Sequence, residues 1–439
     1  MIERWFELTR HGTTARREVV GGVTTFVAMA YIVVLNPAIL AHAGFPRGPS
    51  TVATILVAVV GTLLMALVAN RPFAVAPYMG ENAFLAFGLA ALGVTWQERL
   101  GTVLITGLAF ALLVALRTGP WLVRSIAPGL KHSFAAGIGF FLLFVGLNEA
   151  GLVKHGAGPV PVALGDLHDP RVLLAVGGFT LIAVLQTRGV PGALLLGMVT
   201  TAAAGAALGL AALPDSVFAL PFAGNLSLDP IMGAADLSGV LRWHYLPVLL
   251  TLFLVSFLDT VGTLVGLGAA GEMLDAEGDF PGIERPMAVN ALSCIFAALV
   301  GTSTSGAFLE SAAGIREGAR TGLAALVTAA LFCGTLFVVP LLEPLQELGW
   351  IYAPPLIAVG VAMLPALRGV KLDDPTEAIP FAVTVAMMAF TYNIANGITA
   401  GLVLHPLLKL AAGRRTEVTS GGWVLCATCF LYYAFGLPH

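Results

Sequence analysis

The sequence predicts an all-α polytopic membrane protein with about 14 transmembrane segments in a seven-plus-seven inverted repeat. Three observations lead there: the composition, the spacing of the apolar runs, and two similar polar breaks placed alike in the two halves. Of 439 residues, 58% are hydrophobic and only 11% charged, and the mean hydropathy is +0.91. Soluble proteins carry roughly 25% charged residues, so an aqueous enzyme is excluded. The 51 glycines and 26 prolines, many inside apolar runs, suit helices that pack closely or break.

Residues 1–17 have no basic-then-apolar signal pattern and read as a cytoplasmic, amphipathic leader. Apolar runs follow at 18–40, 50–69, 76–92, 100–117, 128–148, 171–187 and 190–209. An extracytoplasmic loop spans 210–244 and contains Asp215, Asp229 and Asp236. The second set lies at 245–268, 286–300, 304–315, 320–342, 352–367, 376–391 and 394–410, with a last apolar patch at 421–436 whose status leaves the span count around 376–436 open. With the N-terminus inside, seventeen of the 22 Lys and Arg residues fall on the inner side. The five outside are Arg47, Arg99, Lys154, Arg171 and Arg242, and this bias supports the orientation. Cys294, Cys333, Cys426 and Cys429 sit in apolar segments and read as core packing. The acidic loop 271–285 lacks the spacing of a calcium loop and reads as a solvated turn.

The repeat is visible in Gly80–Ala90 (GENAFLAFGLA) and Ser305–Gly314 (SGAFLESAAG), where Ala83-Phe84-Leu85 and Ala307-Phe308-Leu309 occupy similar contexts. An odd number of spans per half inverts the second copy, the arrangement of secondary transporters with alternating access.

The most unusual stretch is Gly301–Gly322, GTSTSGAFLESAAGIREGARTG, too polar for a lipid-facing helix and carrying Glu310. Intramembrane carboxylates are costly unless they have a purpose or a partner. Pro77 and Gly80 in the first copy, and the hydroxyl run 302–305 in the second, favour extended backbone before a late helix start at about Asn82 and Ala307. Such backbone at membrane depth must be enclosed or line a cavity. Asp259 is the only charge between His244 and Glu272, beside Thr260 and Thr263. Glu81 is a third carboxylate, nearer a boundary. The functional reading is a substrate site of carboxylates and backbone groups, in which burial favours the protonated form of a carboxyl group and permits proton exchange. A structural carboxylate pair satisfied by threonine and backbone donors is the plain alternative, and a channel filter is disfavoured by the two broken segments. Asn36-Pro37 reads as a kink or end of the first span, and residues 391–397 as a turn or gate. The scattered histidines indicate no metal site, and no Walker lysine is present, so energy comes from an ion gradient or a partner, and no feature demands a partner. No cofactor and no nucleic-acid partner is implied.

At these residues the chain resembles the nucleobase–cation symporter family of uracil and xanthine permeases, in its AzgA-like adenine/guanine/hypoxanthine branch. The marks are Gly21–Leu40, APYMGENAF (Ala76–Phe84), SFLDTVGTLVG (Ser256–Gly266), Gly301–Leu323 and YNIANGI (Tyr392–Ile398). The resemblance implies short strands in segments 3 and 10, a core domain at 18–117 and 245–342, and a gate domain at 118–209 and 343–439. It places purine-binding carboxylates on Asp259 and Glu310 and the third-segment asparagine on Asn82. Where the uracil branch has a histidine four positions after the eighth-span carboxylate, this chain has Thr263, so a histidine relay does not carry over. The purine branch often has an apolar residue where Glu81 stands.

The expectation is therefore purine nucleobase uptake across the plasma membrane by proton symport, with sodium coupling, uracil or xanthine as substrate, and homodimer formation left open. The expected substrate contacts are Glu310, Asp259, Asn82, Ser303, Thr304, Ser305, Gly306, Ala307, Phe84, Phe308, Gly80 and Glu81, with Glu310 and Asp259 as the candidate proton sites. A sulfate or bicarbonate carrier is the competing class, disfavoured because an anion site avoids two carboxylates.

Overall fold

The computed structural model describes residues 2–89, 93–117, 119–156, 161–212, 214, 216–242, 245–275 and 280–435. Asp215 and His244 lie outside them. Among the described residues, nine helices are long and apolar enough to cross a membrane: Ala15–Ala41, Arg47–Ala69, Trp96–Ala115, Pro128–Glu149, Pro170–Thr187, Val248–Ala270, Gly322–Glu347, Gly349–Gly369 and Ile394–Ala411. The chain is thus a multi-pass membrane protein.

The expectation of about 14 transmembrane segments is corrected to these nine long helices among the described residues, with shorter and broken ones between them. Residues 75–88 and 305–316 are each a strand of three residues leading into short helical turns. Helices Ala193–Ala207, Glu284–Val300 and Pro375–Phe390 have 15, 17 and 16 residues. At 1.5 Å per residue they reach only about 23 to 26 Å, short of a hydrocarbon core of about 30 Å. The patch at 421–436 is a further helix, Ser420–Phe435.

Two packing groups emerge from the helix contacts. In one, Ala15–Met29 packs on Gly322–Thr335, Arg47–Leu64 packs on Gly322–Thr335 and on Ile32–Ala41, and Trp96–Ala115 packs on Glu284–Val300. In the other, Pro128–Glu149 packs on Gly349–Met363 and Pro375–Phe390, which in turn packs on Ile394–Ala411. Gly139 and Gly360 allow the closest approach there: a Cβ on either would lie within 2.8 Å of the other's carbonyl oxygen. Small residues at such a crossing let two backbones meet.

A buried charge ties the first group together. Glu18, fully buried on Ala15–Met29, accepts the backbone N–H groups of Arg320 (2.7 Å), Thr321 (3.2 Å) and Ala324 (3.1 Å). These are orphan donors at the start of Gly322–Thr335, where the helix dipole also favours an anion.

Three local readings change. Pro37 lies inside helix Ile32–Ala41 and does not end it, and the interruption falls earlier, at Ala30–Tyr31. Asn36 instead holds a buried polar cluster, donating to Thr54 Oγ1 (2.7 Å) and Thr302 Oγ1 (2.8 Å). Cys333 is exposed on the outer face of Gly322–Thr335, while the other three cysteines are buried. Arg99 is buried, donating to the carbonyls of Leu85, Ala86 and Val94 that a broken helix leaves free, so it is not a loop charge. Residues 391–392 do form a turn, after which Asn393 caps Ile394–Ala411 by accepting from the Ala395 N–H.

Candidate functional site

The two short strands pair with each other. Val75–Pro77 runs antiparallel to Ser305–Ala307, with Val75 opposite Ala307, Ala76 opposite Gly306 and Pro77 opposite Ser305. Tyr78 N–H donates to the Thr304 carbonyl and Phe308 N–H to the Ala74 carbonyl, both at 2.9 Å. The outer backbone groups also find partners: Thr62 Oγ1 accepts from Val75 N–H and donates to its carbonyl, and Ser311 Oγ accepts from Ala74 N–H. A two-stranded sheet is tolerable in this buried interior because its backbone groups are paired in this way.

Each strand then turns into a helix. Tyr78 is the N-cap of Met79–Ala83, and Glu310 that of Ser311–Arg316. The first helix begins three residues before the expected start at Asn82 and the second four residues after Ala307, because the strand pairing, not the Ala-Phe-Leu triplet, sets where extended backbone ends. The structural counterpart of Phe308 is accordingly Tyr78 rather than Phe84. Their rings lie parallel, 6° apart in plane, with centroids 6.4 Å apart. Gly306 sits beneath Tyr78, and a Cβ there would come within 2.0 Å of its hydroxyl, so only glycine fits.

Beside these rings lies a cavity of about 380 Å³, within the usual range for small-molecule sites. Of the expected contacts, Gly80, Glu81, Asp259, Ala307, Phe308 and Glu310 line it. Tyr31, at the interruption of the first span, donates to Glu310 Oε1 at 2.6 Å. Tyr78 hydrogen bonds Thr260 at 2.9 Å. Glu81 lies fully buried in the cavity wall, not at a boundary, because its helix starts inside the protein, and neither carboxyl oxygen has a partner.

The other expected contacts face elsewhere. Asn82 donates to the Asn36 carbonyl at 3.3 Å, and Ser303 donates to Asn36 Oδ1 at 3.1 Å. Ser305 bonds Ser293 at 2.7 Å, Thr304 supplies the carbonyl that binds Tyr78, and Gly306 is covered by the Tyr78 ring. Phe84 is 1% exposed and packs along its own helix against Gly88. The hydroxyl run thus builds the support of the cavity. Tyr31 and the Tyr78 side chain escaped the sequence reading; the signal was a phenol in an otherwise apolar segment, where an O–H needs a partner. Among the described residues, no group of three His, Cys, Asp or Glu side chains is arranged to hold a metal ion.

A cavity lined by carboxylates and aromatic rings, enclosed by apolar helices and floored by paired broken segments, defines a membrane permease. A match to the permease family Xan_ur_permease covers residues 16–400, and the chain belongs to that family. It is 36% identical over 420 residues to the adenine permease AdeP of Escherichia coli K12, covering 95% of this chain and 93% of that one. It is 35% identical over 447 residues to the guanine/hypoxanthine permease PbuG of Bacillus subtilis 168, covering 99% and 100%. Among solved structures, the transmembrane domain of a cyanobacterial bicarbonate transporter, BicA, shares the fold with a TM-score of 0.64 at 16% identity, covering 87% of this chain and 97% of that one.

Proposed function

We propose that this chain carries purine nucleobases across the plasma (inner) membrane by secondary active proton symport, with its N-terminus on the cytoplasmic side. The observation that carries the reading is the cavity in which Glu310 and Asp259 stand beside the parallel Tyr78 and Phe308 rings. A purine offers N–H donors on its edges and a flat π face. An ionised carboxylate is purely an acceptor, and offset aromatic stacking adds about 0.5 to 1.5 kcal/mol beyond area burial. Glu310, oriented by Tyr31, accepts from one edge of the base, and Asp259 holds the opposite edge or takes the coupled proton. The relatives that transport adenine or guanine and hypoxanthine support the purine class and leave the preferred purine open.

The proposed machine is an inverted repeat with alternating access. The antiparallel strand pair, each member leading into a short helix, supports the inversion. The two packing groups support a core at 18–117 and 245–342 and a gate at 118–209 and 343–439. The cavity wall includes Gln186, Gly192, Arg316 and Met363, which lie at inner helix ends in the N-in orientation, so the cavity reaches toward the inner face. The fold shared with a bicarbonate transporter does not extend to an anion substrate, since three carboxylates on the wall repel one.

Uptake into proteoliposomes of labelled adenine, guanine, hypoxanthine and uracil, under separately imposed proton and sodium gradients, tests the reading. Saturable purine accumulation driven by the proton gradient is expected. A flat result for every nucleobase sinks the assignment, and accumulation only under sodium replaces the coupling ion.

A further inference from the structure

Resting on the transport reading above, we infer that Glu81 is a proton carrier of the transport cycle, neutral when the cavity is occupied and ionised when it is open to water. The observation is a carboxyl group that is 0% exposed, lines the cavity, and has no hydrogen-bond partner in the protein for either oxygen. The other two carboxylates of the cavity are placed differently. Glu310 accepts the Tyr31 phenol, and Asp259 has the Thr263 hydroxyl one helical turn away.

Apart from its own backbone N–H, the groups facing Glu81 offer its charge little compensation. From helix Leu246–Ala270 comes Asp259, whose charge repels an ionised Glu81. Its other titratable neighbours are Tyr78, which shares its electrostatic surroundings but bonds Thr260, and Cys294 from helix Glu284–Val300. Helix Pro128–Glu149 presents Ile138 against Gly80, and helix Ile32–Ala41 meets this turn through Asn36 at Asn82. Glu310 and Arg316 lie on the same cavity wall.

An unpaired buried charge is strongly disfavoured, and the group neutralises instead. Three carboxylates around one neutral base cannot all be ionised once water has left. The N–H groups of the bound base compensate Glu310 and Asp259, so the proton belongs on the carboxyl with no donor, which is Glu81. When the base departs and water enters, Glu81 can ionise, and one proton follows the base across. Proton and base are thereby linked through the wetness of a shared cavity, without a histidine relay.

The test uses the full-length protein in proteoliposomes, with Glu81→Gln as an uncharged isostere and Glu81→Asp as a shorter acid. The number of protons moved per nucleobase is expected to fall by one in Glu81→Gln, with at least a tenfold loss of proton-driven accumulation, whatever the residual exchange rate, and to recover in Glu81→Asp. An unchanged proton-to-base ratio in Glu81→Gln overturns the proposal. Infrared difference spectra on base binding supply a readout independent of turnover. A protonated-carboxyl carbonyl band that appears with the base should be lost in Glu81→Gln, and its persistence there also overturns the proposal. If the unmodified protein moves no nucleobase, the transport reading itself has failed, an outcome distinct from wild-type uptake with an unaltered ratio in the variant.

Discussion

Tyr31 interrupts the first span and reaches across to a carboxylate 279 positions away in sequence. Its hydroxyl fixes one oxygen of Glu310, and in the proposed site the other oxygen meets the base. A hydrogen bond to a charged group is worth about 1.5 to 3 kcal/mol, so Tyr31→Phe is expected to weaken nucleobase binding by about tenfold or more. Equilibrium binding to purified protein in detergent checks this, and an unchanged affinity would remove Tyr31 from the site. At this scale Glu310 and Asp259 were legible as isolated charges in apolar runs. Tyr31 was not, because a phenol one span away carries no mark of its partner until the chain folds. The failure at Phe84 has a similar root: the Ala-Phe-Leu triplets match as letters, yet one lies in a helix and the other at a strand end.

Helices Pro375–Phe390 and Ile394–Ala411 are fastened at one end by a charge network. Lys409, 2% exposed, sits within 2.9 Å of Glu377, 3.0 Å of Glu417 and 3.6 Å of Asp374. Arg414 bonds Asp374 at 2.7 Å and Glu417 at 2.6 Å. Asp374 also caps its helix, accepting from Thr376 N–H. The Arg414 guanidinium, then Lys409, hold the Glu417 carboxyl down to about 2, and the Thr376 hydroxyl, then Arg414, hold Asp374 well below the ordinary carboxylate range. A depressed carboxyl contributes stability that is fully present above its unfolded value of about 4 and is lost as the pH falls through the folded value. Thermal stability in detergent should therefore drop between about pH 4 and pH 2, and Arg414→Ala should shrink that drop. An identical pH dependence in Arg414→Ala would show that the network does not link these helices. Sequence periodicity located both helices. It gave no hint of the network, whose members stand up to 43 positions apart, from Asp374 to Glu417.

Across the whole molecule, one of the helices that line the cavity also ties the two packing groups together. Gly349–Met363 contributes Ala358 and Met363 to the cavity and carries Tyr352 in its first turn. Tyr352 donates to Glu149 at 2.6 Å and meets His42 Nε2 at 3.0 Å, joining the end of the first span to the end of Pro128–Glu149. Nearby, Gln346 donates to the Val33 carbonyl at 3.2 Å. The Tyr352 contacts bridge the two packing groups, so the alternating access proposed above requires them to break. Tyr352→Phe is expected to accelerate hydrogen–deuterium exchange in residues 32–42 and 349–356 by about tenfold, from the loss of about 1 to 3 kcal/mol. Unchanged protection there would show that this contact does not tie the two packing groups together.

Composition alone determined that the chain lives in a membrane, since so few charges cannot keep 439 residues soluble. The cost of a charge in an apolar run determined which carboxylates to watch, and proline, glycine and hydroxyl side chains marked where helices would break. All of these are local energies, written in neighbouring residues. The tertiary structure alone decided that Val75–Pro77 pairs with Ser305–Ala307, that Tyr78 rather than Phe84 faces Phe308, and that the serines and threonines near residue 303 support the cavity without lining it. It also turned Glu81 from a boundary residue into a buried one with no partner. Those outcomes depend on contacts between segments some 230 residues apart, and the energies that select them exist only after the helices have packed.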